Sequence, residues 1–120
     1  MTGAEFQHIR ATEHDGVTLI EFNVEDLVDE ETVHEAGEEV LRVIEAPECR
    51  KLVVSFRGVR MLSSSALGKL ITVHRRVHRK EGKLLFCDLS ETVLDVLHAC
   101  RLDSFFILIG DRQEALKALA

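Results

Sequence analysis

The feature that most constrains the fold is an alternation of short apolar runs with longer amphipathic segments. Leu52–Phe56 and Lys83–Cys87 are runs of five residues, mostly apolar, as expected for strands that are buried on both faces. Between them, Ser63–Lys80 repeats apolar residues at helical spacing. Strands that alternate with helices of this length predict βαβ units, with parallel pairing and right-handed crossovers.

The segments on either side extend the same pattern. Val17–Phe22 is rich in β-forming residues, and Phe6–Thr12 alternates weakly. The two predict a hairpin, closed by the turn His14-Asp15-Gly16. Asp29–Ala46 predicts a helix with acidic residues in its first turn, where the helix dipole favours them. Further along, the pattern predicts one more strand and two more helices: Phe105–Ile109, a helix opened by Ser90, and Arg112–Ala120.

Length and composition agree with one such domain. The chain has 120 residues, of which 46% are hydrophobic and 30% are charged. This is enough for a single core, and too apolar for a disordered chain. We therefore expect a single α/β layered domain over residues 1–120. It should contain a mostly parallel sheet of about five strands, an initial antiparallel hairpin, and helices packed against the sheet.

Formal charge is divided unevenly along the chain. Residues 1–50 contain 14 Asp or Glu and three Arg, whereas residues 51–120 contain seven acidic and 12 basic residues. The net charge of −6 argues against general binding to DNA or to an anionic membrane, because repulsion opposes the approach. The acidic excess lies mainly in Asp29–Ala46 and the basic excess in Ser63–Lys80. Three interpretations stay open: solvated faces, attraction within one molecule, and docking onto an oppositely charged partner or second copy, which would make a homodimer.

Cysteine usage and the first ten residues predict a cytoplasmic protein. Cys49, Cys87 and Cys100 are odd in number and show no C-x-x-C spacing, which favours free thiols in a reducing compartment. Cys87 and Cys100 lie in apolar segments and are expected to be core thiols. Met1–Arg10 lacks the charged and apolar regions of a secretory signal, and no stretch approaches the ~20 apolar residues of a membrane span.

Catalytic and metal-binding patterns are weak. His74 and His78 lie one helical turn apart, a spacing that binds metals, but the neighbouring arginines would repel a cation. A serine hydrolase of the common type needs a G-x-S-x-G elbow, which the sequence lacks. No motif places His74 or His98 against a serine and an aspartate. We therefore expect no metal, no cofactor and no enzymatic activity.

Three consecutive serines are the most unusual local feature. Ser63, Ser64 and Ser65 lie between the strand Leu52–Phe56 and the predicted helix that follows it. Serine is a preferred N-cap, so at least one of them should cap that helix. Loops at the carboxyl ends of parallel strands are also where α/β folds place binding sites, and an anion there would face free backbone N–H groups. No glycine-rich phosphate loop accompanies them.

The segment Lys51–Leu70 resembles the central motif of STAS domains, the bacterial anti-sigma factor antagonists and their relatives. The family pattern is an apolar strand, a short turn, an apolar pair, and then Asp-Ser-Ser/Thr-Gly-Leu-Gly opening a helix. This chain has Ser63 at the position of the Asp, and Ala66 at that of the first Gly. Ala66 favours a regular first helical turn. The resemblance extends over about residues 15–120 and includes four later segments: Gly82–Phe86, the helix after Ser90, Leu102–Phe106 and Asp111–Leu116.

The resemblance implies a regulatory protein–protein interaction module that is switched by serine phosphorylation. The position that matches the phosphorylated serine is Ser64, with Ser63 and Ser65 as lesser candidates. The implied partner is a serine kinase that also serves as an anti-sigma factor. The unphosphorylated domain would bind this kinase and so free the sigma factor. A phosphate adds about −1.5 to −2 charges, which opposes docking.

Residues expected to contact the partner lie around the serines or at a neighbouring strand end: Arg60, Met61, Ser63, Ser65, Lys69 and Asp88. The alternative is a STAS-like module that binds a nucleotide or another small ligand, or acts as a scaffold, without phosphorylation.

Overall fold

The computed structural model describes residues 6–120 of the chain, which form seven strands and four helices. The strands are β1 Ile9–His14, β2 Val17–Phe22, β3 Asp26–Leu27, β4 Lys51–Ser55, β5 Met61–Leu62, β6 Lys83–Cys87 and β7 Leu108–Ile109. The helices are α1 Glu30–Ile44, α2 Ser64–Arg79, α3 Glu91–Ala99 and α4 Arg112–Leu119.

The main sheet has five strands in the order β1-β2-β4-β6-β7. β1 and β2 pair antiparallel, and every later pair in this sheet is parallel. The hairpin turn has Asp15 at φ 52° and Gly16 at φ 83°, the two left-handed residues of a tight hairpin turn. The predicted α/β architecture, with a mostly parallel sheet after an initial hairpin, is confirmed.

Each helix begins after a side chain that caps it. The capping residues are Asp29, Ser63, Ser90 and Asp111, and each accepts a hydrogen bond from the backbone N–H three residues further on. Such caps satisfy one of the four N–H groups that the start of a helix leaves without an intrahelical partner. The polar residues ahead of each apolar pattern therefore fix where the helices start.

Helices cover both faces of the sheet. Side chains alternate along β4, so Leu52 and Val54 face the cluster formed with α1, α2 and α3, whereas Val53 faces α4. The first cluster is the larger one and contains Phe56 and Phe86, both 1% exposed. The carboxyl ends of β2, β4 and β6 meet at one edge, which is where the loops with the candidate site lie.

Two predictions about strands were incomplete. The short parallel pair β3–β5 was not expected, and the predicted strand Phe105–Ile109 is a strand only at Leu108–Ile109. Phe105 and Phe106 lie against His74 instead, with ring centroids 4.5 and 5.7 Å from that of the histidine. The apolar run therefore divides its residues between helix packing and sheet pairing.

The expectation of core thiols is correct for Cys87 and wrong for Cys100. Cys87 lies in β6 and is fully buried. Cys100 is exposed because it caps the carboxyl end of α3, where the chain turns toward solvent.

The acidic and basic helices lie side by side within the molecule. Lys69 Nζ is 3.3 Å from Glu38 Oε2, and its side-chain stem crosses α1 over Gly37, where an added Cβ would be 2.7 Å from Lys69 Cδ. Lys80 Nζ donates to the backbone oxygens of Ile44 and Ala46, the latter at 2.9 Å. Part of the charge difference between the two halves of the chain is therefore used in intramolecular contacts.

Candidate functional site

A tight turn carries the chain from the end of β4 toward the three serines. Val59 N–H donates to Phe56 O at 2.9 Å, and the intervening Gly58 has φ 87°, a conformation that favours glycine. Phe56 and Val59 are both buried and anchor the two sides of the turn. The position of the next segment is therefore fixed by core packing.

The small β3–β5 sheet holds the segment immediately before the serines. Arg60 N–H donates to Glu25 O at 2.6 Å, and Ser63 N–H donates to Leu27 O at 2.9 Å. Leu27 and Leu62, which are paired in this sheet, are both buried. The start of α2 is thus bound to the segment that precedes α1.

The three serines have different environments. Ser63 caps α2, and its Oγ accepts a hydrogen bond from Ala66 N–H at 3.1 Å. Ala66 itself is helical and buried, which confirms the regular first turn expected from the sequence. Ser64 and Ser65 are the first two residues of α2, and both are exposed.

Ser64 lies where a negative charge is favourable for the helix. It is the first residue of α2, so a phosphate on its hydroxyl would face the positive end of the helix dipole. The first turn of α2, residues 64–67, contains no acidic side chain that would repel it. The site is therefore chemically suited to carry a phosphoserine without loss of the helix.

Apolar side chains are exposed on the elements around the serines. Val28 directly follows β3, Met61 lies in β5, and Leu94 lies on α3, which packs against β5. The exposed fractions are 45%, 41% and 38% respectively. Exposed apolar side chains on adjoining elements can together supply a protein-contact surface.

Two predicted contact residues are cations that have partners within the chain. Arg60 Nη2 is 3.0 Å from Asp26 Oδ2 and 3.4 Å from Glu25 Oε1. Lys69 is the residue already described against Glu38. Both lie on elements that border the serines, but their charges are largely balanced. That either contacts a partner stays a prediction.

The remaining predicted contact residue, Asp88, lies in a separate polar network at the end of β6. Its Oδ2 accepts a hydrogen bond from Ser55 Oγ at 2.7 Å and is 3.4 Å from Arg112 Nε. Arg112 also contacts Glu21, so the network joins β2, β4, β6 and α4. Sequence reasoning missed Ser55, the one fully buried serine in the described residues, because nothing local distinguishes it within an apolar strand. A partner contact by Asp88 also stays a prediction.

Burial and charge perturb two groups near these elements. Burial, followed by the negative charge of Asp88, raises the pKa of the Cys87 thiol to about 12. Burial, followed by the charges of His78 and Arg75, lowers the pKa of His74.

Within residues 6–120, no group of three or more His, Cys, Asp or Glu side chains is placed to hold a metal ion. Over the same residues, every helix is too short or too polar to cross a membrane.

Comparison with known proteins assigns the chain to a family that has this fold. The family model of the STAS domain matches residues 8–115, and the chain belongs to the STAS domain family. An anti-sigma-factor antagonist (STAS) domain protein from Planctomyces limnophilus is 26% identical. The match covers 93% of this chain and 97% of that one, with a TM-score of 0.83.

Two further structures share the fold at lower identity. An anti-sigma factor antagonist from Mycobacterium paratuberculosis is 21% identical, with 92% of each chain covered and a TM-score of 0.81. The Bacillus cell fate determinant SpoIIAA in its phosphorylated form is 14% identical, with 93% of this chain and 99% of that one covered and a TM-score of 0.71. None of the curated proteins matches the chain.

Proposed function

We propose that this chain is a cytoplasmic, non-enzymatic regulatory module of the anti-sigma factor antagonist type, switched by phosphorylation of Ser64. Its partner would be a serine kinase that also acts as an anti-sigma factor. The observation that carries the proposal is the exposed hydroxyl of Ser64 at the first position of α2, next to a cap supplied by Ser63. The fold neighbour SpoIIAA, which has been solved in phosphorylated and unphosphorylated forms, supports it.

In the unphosphorylated state, the surface around Ser64 is suited to an apolar partner surface. Val28, Met61 and Leu94 supply exposed apolar area, and covering it removes that area from water. Arg60 is paired with two carboxylates, so its positive charge is balanced and one negative charge remains on the group. Docking by the unmodified domain would therefore desolvate less charge than docking after Ser64 gains a phosphate.

Phosphorylation changes this balance at the docking surface while leaving the fold intact. The phosphate brings about −1.5 to −2 charges and three acceptor oxygens, which must be desolvated when a partner covers them. The start of α2 partly accommodates the charge through the helix dipole. We therefore expect phosphorylation to weaken partner binding without unfolding the domain.

The test combines phosphate mapping with binding measurements. The protein is incubated with ATP and a serine kinase encoded beside its gene, and the modified residue is identified by mass spectrometry. Binding of that kinase is measured by calorimetry for the wild type, Ser64→Ala and Ser64→Asp. Ser104→Asp is the matched control, because it adds the same charge at an exposed serine in the segment before β7, outside the first turn of α2.

We expect phosphate on Ser64, wild-type binding by Ser64→Ala and Ser104→Asp, and binding by Ser64→Asp that is weaker by roughly tenfold or more, the effect of about 1.4 kcal/mol. The proposal fails if none of the three serines is phosphorylated and the kinase does not bind. It also fails if Ser64→Ala and Ser64→Asp bind equally well.

A further inference from the structure

The main sheet has an open edge at the beginning of β6. In the described part of the chain, β7 pairs with β6 only through Phe86 and Cys87, so residues 83–85 are not covered on that side. Lys83 N–H donates to Arg50 O toward β4, and Phe86 N–H donates to Ile107 O toward β7. Because these directions alternate along a strand, the backbone N–H and C=O of Leu84 point to the uncovered edge.

A cavity of about 410 Å³ lies along this edge. α2 forms one wall and α4 the other, and the lining includes His74, His78, Lys83, Leu84, Ile107 and Leu119. Leu84 faces the larger core cluster, whereas Leu85 faces the α4 side. We call this cavity the edge slot. An extended segment placed in it would direct alternate side chains toward Val77 on one wall and Leu119 on the other.

The mouth of the edge slot is apolar. Ile107, immediately before β7, is 59% exposed, and Phe105 is 43% exposed. Exposed side chains of this size next to unpaired strand groups are features of a sheet edge that pairs with another chain. The uncovered part of β6 is ~10 Å long, and Leu84 supplies the backbone N–H and C=O that face outward within it.

The charge of the edge slot selects the occupant. Its titratable lining residues are His74, His78 and Lys83, and none of the described residues that line it is acidic. A second copy related by a two-fold axis would bring its own Lys83 to the same place, and repulsion between the two ammonium groups opposes that arrangement. An extended segment that has acidic residues next to apolar ones would match both the apolar walls and the positive charge of the edge slot.

We propose that the edge slot is a second docking site, which binds an extended, acidic-flanked apolar segment of a partner protein by adding a strand to β6. The edge slot adjoins the last turns of α2, whereas Ser64 begins that helix. Fourteen residues of helix separate Ser64 from His78, or ~21 Å. This exceeds the screening length of ~8 Å at physiological salt, so the charge of a phosphate on Ser64 is largely screened at His78. A partner could then stay attached while the serine switch changes state.

The experiment uses a defined probe, a capped peptide of three valines flanked by glutamates, titrated into the ¹⁵N-labelled full chain. Two control peptides have lysine flanks or a central proline, which cannot donate a ladder hydrogen bond. We expect saturable shifts at Leu84 and Ile107 and slower amide exchange at Leu84. The lysine-flanked and proline peptides should bind roughly fivefold more weakly or worse.

Charge variants complete the test. Lys83→Glu should reverse the preference between glutamate and lysine flanks. Arg76→Glu makes the same change in charge at an exposed position of α2 outside the edge slot and should leave the preference unchanged. Ser64→Asp should also leave peptide binding unchanged. Failure of the edge-slot proposal can therefore be distinguished from failure of the proposed Ser64 switch. The proposal is overturned if no saturable shift occurs, if both flank types bind equally, or if sedimentation shows a dimer of the chain that Lys83→Glu alters.

Discussion

Replacing Ser63 with alanine removes the hydroxyl that accepts a hydrogen bond from Ala66 N–H at 3.1 Å. The loss of a serine N-cap costs about 1 kcal/mol, within a range of roughly 0.5 to 2. Ser63 is half-buried, so water can partly replace the lost acceptor, and we expect a value near 1. With an unfolding entropy of ~2.1 cal/mol/K per residue, a chain of this size should lose about 4 °C in Tm.

The measurements are equilibrium urea unfolding and calorimetry, with two companion variants. Ser65→Ala alters the exposed serine two residues later and should be neutral or stabilising by up to ~0.5 kcal/mol, because alanine is the better helix former. Ser63→Asp keeps a capping oxygen and should unfold within ~0.5 kcal/mol of the wild type. A loss below ~0.3 kcal/mol for Ser63→Ala, or equal losses for Ser63→Ala and Ser65→Ala, would refute the capping role.

Three further predictions concern groups outside the serine site. Lys80→Met keeps the side-chain stem but removes the ammonium that bonds to the end of α1, and should lower the free energy of unfolding by about 1.5–3 kcal/mol. Burial raises the pKa of Cys87 to about 12, so iodoacetamide at mildly alkaline pH should label the exposed Cys100 and spare Cys87, as read by peptide mass spectrometry. Burial lowers the pKa of His74, and the Asp103 hydrogen bond raises that of His98, so NMR titration should place the two on opposite sides of the ordinary histidine value.

The signs of the two histidine effects on stability differ. The contribution of neutral His74 to the free energy of unfolding is lost as pH falls below the ordinary pKa of 6.5, because the unfolded chain then binds more protons than the folded chain. The contribution of protonated His98 to the free energy of unfolding is lost as pH rises through its raised pKa in the folded chain. Asp103→Asn should return the pKa of His98 toward its ordinary value, and failure to do so would show that the ion pair is not the cause.

Controls for the other two predictions lie nearby. Arg79→Met removes a cation from the exposed neighbour of Lys80 and should change stability by less than ~0.5 kcal/mol. Equal losses from the two variants would mean that the bonds of Lys80 to α1 contribute nothing measurable. Rapid labelling of Cys87 in the folded chain would contradict its burial.

The elements that could be predicted from the sequence are those with a local pattern several residues long. The helices follow from periodicity and from the capping residues at their starts, whereas β2, β4 and β6 follow from runs of β-forming or apolar residues. β3 and β5 have two residues each, which is too short for an alternation, and their pairing depends on contacts distant in sequence. The run Phe105–Ile109 is apolar throughout, and no local rule indicates that Phe105 and Phe106 turn toward α2 instead of joining the sheet.

The candidate site was predictable in outline only. The serines were placed between strand and helix by their position in the pattern, and the capping role of one serine was expected. That Ser63 is the cap and Ser64 the exposed first residue depends on a one-residue boundary, which local propensity does not fix. The Ser55–Asp88 bond joins residues 33 positions apart, so it appears only once β4 and β6 are paired.

The contacts of Lys69 and Lys80 with α1 also bear on how the domain opens. One joins α2 to the middle of α1 and the other to its end, so neither helix can separate from the sheet without breaking bonds to the other. Local unfolding of these two helices should therefore be cooperative, with similar opening free energies measured by native-state hydrogen exchange. α4 packs on the opposite face of the sheet, so its opening is not tied to these two lysine contacts.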